Sequence, residues 1–103
     1  MRTIIEGHRY QLANFEYPET CQTIQFIHKE PHEDNQGSLN TVSDGTTNEE
    51  VLAMLINRMN YLQSKSPCRE NTLVITKLEE SLMWLEKRTN DRIKRNVEGK
   101  NIV

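Results

Sequence analysis

Residues 69–96, RENTLVITKLEESLMWLEKRTNDRIKRN, contain neither Pro nor Gly and are rich in Leu, Glu, Lys and Met, so they predict one long helix. Within that run Val74, Leu78, Leu82 and Leu85 recur at spacings of four and three. This spacing draws an apolar stripe down one side. At 1.5 Å per residue the run reaches roughly 40 Å, longer than a small chain needs to cover its own core. A helix of that length calls for a partner, inside the chain or in a second copy.

The rest of the chain supplies one of the two. In residues 46–66, Thr46 or Thr47 stands three positions ahead of Glu49 or Glu50, the spacing of a capping box. Val51, Leu52, Leu55, Met59 and Leu62 then form an apolar face, and the helix is expected to end near Ser64. Ser66 and Pro67 offer an N-cap and a first-turn proline for the long helix. So short a connection forces an antiparallel helical hairpin over residues 47–97, with 98–103 as a tail. Upstream, residues 2–12 read as two strands about the turn pair Glu6-Gly7, and CQTIQFIHK alternates like a third strand. Residues 31–46 are rich in Pro, Gly, Asn, Asp and Ser and read as a linker loop after a β-region at 1–30. The expected fold class is α+β: a small N-terminal antiparallel β-sheet, then a C-terminal antiparallel helical hairpin with one long helix, in a single domain. Hydrophobic residues make up only 35% of 103 positions, which favours a homo-oligomer whose subunits complete each other's core.

Charge narrows the partners. The net charge of −2 offers no global attraction to DNA or an anionic membrane, yet Lys87 to Lys100 is mostly basic. A basic helix end on a near-neutral chain suits a small anion. No stretch approaches the ~20 apolar residues of a membrane span, and the MRTIIEGHRY start lacks the apolar centre of a signal sequence, so an intracellular protein is expected. Cys21 and Cys68 match no zinc spacing and read as free thiols.

Among candidate sites, Arg88 and Arg92 are one helical turn apart, with Lys87 and Arg95 beside them. Two guanidinium forks can chelate a phosphate or diphosphate, although a solvated, dipole-matched helix end has the same pattern. Tyr61 and Asn71 flank the inter-helix turn. Asn71 and Arg88 lie about 25 Å apart on one helix and cannot share a ligand within a chain. Two long helices crossing antiparallel near residue 80 or 81, where Ser81 permits close approach, would bring Asn71 of one chain to Arg88 and Arg92 of the other. Trp84, Met54, Met59 and Met83 read as packing residues. His28, Glu30, His32, Glu33 and Asp34 read as exposed loop residues, because Pro31 prevents helical pairing of the two histidines, and no metal site is expected. Adjacent Glu79 and Glu80 diverge by about 100° around the helix, and no catalytic motif occurs.

The segment NTLVITKLEESLMWLEKR resembles the hairpin of phage-encoded cyclic-nucleotide sponges, and IIEGHRYQLANFE with TIQFIHKE is similar to the β-region of their Thoeris anti-defence branch. The resemblance implies a non-enzymatic protein of the host bacterial cytoplasm, without cofactors. It would bind and hide a cyclic ADP-ribose isomer made by TIR-domain enzymes. It also implies dimers able to form hexamers, and in some members a second site for cyclic oligonucleotides. Ligand-binding positions of that branch correspond here to Tyr61, Asn71, Arg88 and Arg92. A reading of another class is a homodimeric protein-interaction or regulatory module with no nucleotide ligand.

Overall fold

The structure, a computed structural model, describes residues 1–31 and 38–95. Five strands precede two helices, and the chain divides at Thr47–Asn48 into two compact units.

In the N-terminal unit, β1 (Arg2–Ile5), β2 (Arg9–Ala13) and β3 (Cys21–Gln25) form an antiparallel sheet in sequence order. The β1–β2 turn closes through the His8 N–H donating to the Ile5 carbonyl at 2.9 Å, with Gly7 at φ +77. A side chain would be strained in that left-handed conformation, which is why the turn centres on Glu6-Gly7. β2 and β3 pair in unbroken register from Arg9↔Gln25 to Ala13↔Cys21. Their connecting loop is tied by Asn14, whose amide donates to the Thr20 hydroxyl at 2.7 Å.

A second, two-stranded sheet follows, from β4 (His28–Pro31) and β5 (Leu39–Ser43). Residues 39–43, assigned by composition to a linker, are therefore a strand. Their polar side chains hide it, since both residues flanking Val42 are small and polar and the strand gains its order from backbone pairing with β4. His28 is likewise not an exposed loop residue: it lies half-buried on β4, and its ring stacks on His8 at 3.6 Å between centroids. His32, Glu33 and Asp34 lie outside the described residues. The strands are joined by a parallel bridge between Phe26 and Thr46, with the Thr46 N–H donating to the Gln25 carbonyl at 2.9 Å. Gly45 makes that approach possible, because a Cβ there would stand 2.6 Å from the Phe26 carbonyl carbon.

The C-terminal unit is the expected hairpin, α1 (Asn48–Lys65) and α2 (Arg69–Lys94). α1 begins directly after Thr47, which puts Thr47 and Glu50 at the two ends of the capping-box spacing. α2 does not start as expected. Its N-cap is Cys68, not Ser66, and the Cys68 thiol accepts the Asn71 N–H at 3.4 Å. Gln63 fixes the turn from both sides, accepting the Cys68 N–H at 3.1 Å and donating to the Thr72 hydroxyl at 3.0 Å.

The helices meet along half-buried stripes. On α1 these are Leu52, Ile56, Met59 and Gln63, and on α2 Asn71, Ile75, Leu78, Leu82, Leu85, Thr89 and Arg92. Both alternate by three and four, the spacing of a coiled-coil seam. Against expectation, Ile56 replaces Leu55 and Ile75 replaces Val74 in these stripes, and Leu55 and Val74 face outward. Met54, Met83 and Trp84 are also exposed and are not core of this chain. Among the described residues no apolar side chain is fully buried. The seam assignment predicts that Ile56→Ala lowers stability by about 1–2 kcal/mol, more than Leu55→Ala, in urea unfolding followed by helical circular dichroism. The reverse order would refute the assigned phase.

Candidate functional site

The far end of α2 carries the chemistry. Taking about 100° per residue, the hairpin seam occupies one side of α2, and Trp84, Lys87, Arg88, Asp91 and Arg95 fall on the neighbouring face. Arg92 sits at the boundary between the two. Together these six residues line a concavity of about 260 Å³. Trp84 is 63% exposed and supplies the only aromatic wall of this concavity among the described residues.

The two arginines singled out by sequence do not have equal surroundings. Arg88 is exposed and has no hydrogen-bond or ion-pair partner among the described residues. Arg92 is 7% exposed, the most enclosed of the described side chains. A guanidinium so enclosed is held in place before any ligand arrives, whereas Arg88 is free to follow one. Both line the same concavity, so the structure does bring this pair together.

Asp91 was missed by sequence reading. It accepts a hydrogen bond from the Lys87 ammonium at 2.8 Å, one turn earlier on the helix. That bond, reinforced by the charge on Lys87 and then by Lys94 and Arg95, lowers the Asp91 pKa from its ordinary 3.8. Asp91 thus restrains Lys87 and leaves one carboxylate among the cations. The signal that could have revealed it is the four-three-four recurrence of Trp84, Arg88, Asp91 and Arg95, a second stripe beside the apolar one.

Tyr61 and Asn71 stand at the opposite end of the hairpin. Tyr61 is 59% exposed near the end of α1, with the Lys65 ammonium 5.5 Å from its ring centroid. Asn71 is half-buried in the first turn of α2. Because α2 is one unbroken helix, Asn71 stays about 25 Å from Arg88. Within one chain these residues form two separate ends. Among the described residues no group of three or more metal-ligating side chains could hold an ion. No helix of the described residues is long and apolar enough to cross a membrane.

Fold and site together define a small α+β protein built on a helical hairpin, with a cluster of cationic side chains and one tryptophan on the outer face of its long helix. Residues 22–90 match the family described as Acb2/Tad1, hairpin domain, and the chain belongs to that family. It is also similar to Thoeris anti-defense 1 of Bacillus phage SBSphiJ7, with 55% identity over 58 residues, 55% of this chain. That match spans 41% of the relative's length. Tyr61, Asn71 and Arg88 lie inside the family match, while Arg92 lies just beyond it.

The Lys87–Asp91 pair gives a pH dependence of known sign. Because the folded-state pKa of Asp91 is lowered, the favourable pairing is present above the ordinary carboxylate value of 3.8 and fades as pH falls through the lowered one. In Lys87→Ala the Asp91 carboxyl titration, followed by ¹³C NMR, is expected to move up toward 3.8. An unchanged midpoint would show that the pair does not persist in solution, and raised salt should also weaken it.

Proposed function

We propose that the chain is a phage anti-defence protein that captures a cyclic ADP-ribose-type signal made by TIR-domain enzymes and holds it without cleaving it, so that Thoeris immunity is blocked. The observation that carries this reading is the pairing of Arg88 with Arg92 in one concavity, on the hairpin of an Acb2/Tad1 family member. The ligand presents adenine faces and a diphosphate. Arginine forks match the diphosphate by paired, charge-assisted hydrogen bonds. The name of the similar phage protein supports an anti-Thoeris role. Capture requires no nucleophile or general base, only preformed groups and enough sites to outcompete the receptor. The place of action would be the cytoplasm of the infected host.

The site is completed in a homodimer, in this reading. Ser81 lies at the middle of α2, and its hydroxyl turns back to the Lys77 carbonyl at 2.9 Å, leaving a low surface there. An antiparallel crossing at Ser81 sets Asn71 of one chain opposite position 91 of the other, between Arg88 and Arg92. The outward Leu73 and Val74 provide apolar surface for that contact. Tyr61 and Asn71 from one subunit then face Arg88 and Arg92 from its mate, twice per dimer, and dimers could assemble further into hexamers.

The same exposed apolar residues also suit the second reading, a protein-interaction module. One experiment separates them. Protein incubated with the TIR-enzyme product is recovered, heat-denatured and its supernatant examined: intact nucleotide supports capture, an altered product indicates an enzyme, and none supports the interaction module. An Arg88→Glu/Arg92→Glu variant should bind at least about 100-fold more weakly with its native mass unchanged. Undiminished depletion of the nucleotide by that variant would overturn the assignment.

A further inference from the structure

Sequence patterning gives Trp84 to packing, and the proposed dimer needs no more of it than that. Its surroundings indicate another use. Trp84 is the only tryptophan of the chain, and the hairpin seam passes it by in favour of Leu82 and Leu85. Its indole is 63% exposed. An exposed tryptophan is a costly choice for a helix surface unless something covers it, since it leaves a large apolar face in water. Here it does not stand in an apolar patch. The residues that share its concavity are all charged: Lys87, Arg88, Asp91, Arg92 and Arg95. Such a wall repels a packing partner made of leucines and valines, and the chemistry that satisfies both kinds of surface is a planar base carrying a phosphate.

We infer that Trp84 is the base-stacking wall of a half-site that each chain carries on α2, taking the purine of a nucleotide whose phosphate is held at Arg88. The inference rests on the nucleotide-capture reading and deepens it. In that reading aromatic stacking falls to Tyr61 alone, at the other end of the hairpin; Trp84 adds an aromatic surface on the arginine side. Arg88 stands one turn beyond Trp84 on nearly the same face, about 6 Å along the helix, a span suited to a nucleotide's base and first phosphate. The volume agrees with a half-site. About 260 Å³ falls below the roughly 300–1,000 Å³ that encloses a drug-sized ligand, leaving the remainder to be closed by other groups. Asp91, held ionised beside Lys87, sets a limit on selectivity: it lowers the attraction for additional phosphates and so favours a nucleotide of modest charge over a polyphosphate.

Because Trp84 is the sole indole, its fluorescence reports this site without labelling. The full chain is titrated with the purified cyclic ADP-ribose-type product of a TIR-domain enzyme, and in parallel with inorganic pyrophosphate, while acrylamide quenching is measured. Without ligand the indole should be open to acrylamide. The nucleotide should shield it and shift its emission, whereas pyrophosphate should compete for the site without shielding. Trp84→Ala should weaken nucleotide binding about tenfold or more with pyrophosphate affinity retained, and Trp84→Phe should recover part of the loss. Native mass and circular dichroism of both variants verify assembly and folding. An indole already shielded in the ligand-free protein would mean that a second copy covers it, and would overturn the inference. So would nucleotide affinity within twofold of the parent in Trp84→Ala, which would leave nucleotide capture itself intact. Failure of the parent protein to bind the nucleotide at all would remove both.

Discussion

The seam between α1 and α2 decides what every other residue of the hairpin can do. Ile75, Leu78, Leu82 and Leu85 face Leu52, Ile56 and Met59 at coiled-coil spacing, and once that side is committed the remaining faces of α2 are committed too. Val74 and Leu73 turn outward, Arg92 falls on the edge and is enclosed, and Trp84 and Arg88 point away from α1. A one-residue change of phase, with Val74 in the seam, would rotate α2 by about 100° and carry Trp84 and Arg88 to other sides. The site is therefore a consequence of hairpin packing. No loop is needed to position it.

The turn matters for a related reason. Gln63 bonds both the Cys68 backbone and the Thr72 side chain, so the last turn of α1 and the first of α2 are joined by side-chain hydrogen bonds. The thiol of Cys68 takes the capping role usually given to Ser or Asp, and satisfies the Asn71 N–H. Asn71 is thus fixed by the cap and Arg92 by enclosure, at opposite ends of one rigid helix. Residues that a loop-borne site could move together are here kept about 25 Å apart by the rise of the helix. Only a second copy can unite them. This is why overlength and assembly belong together in the proposed function.

Much of this was legible before any coordinates. Both helices, their antiparallel turn and the Glu6-Gly7 hairpin follow from periodicity and turn chemistry, and the α+β class follows from their order, but the single third strand expected over CQTIQFIHK is divided, β3 ending at Gln25 and His28–Pro31 pairing in a second sheet. The phase of the seam was less legible because Leu55-Ile56 and Val74-Ile75 are adjacent apolar pairs, and hydrophobicity alone cannot rank two neighbours. β5 escaped because three of its five residues are Asn, Thr and Ser, and its order comes from pairing with β4 and from the Phe26–Thr46 bridge. Cys68 escaped as an N-cap because Ser66 and Pro67 form a stronger local signal two residues earlier. In the candidate site, the common face of Arg88 and Arg92 follows from their spacing, but the difference between an enclosed Arg92 and an open Arg88 depends on tertiary surroundings.

Under the proposed function, the distribution of charge would favour a small anion over nucleic acid. With a net charge of −2, its long-range field gives a polyanion no reason to approach. Beyond a screening length of about 8 Å the cations of α2 are felt only weakly, so they act on what enters the concavity. There the guanidinium of Arg88 is open while Lys87 is held by Asp91. A long phosphate backbone gains little from one open arginine, since polyanion binding grows by releasing counterions at many contacts. A nucleotide with few phosphates loses little by that restriction and gains the indole face, so the same side chains that weaken attraction for polymers leave room for a compact ligand.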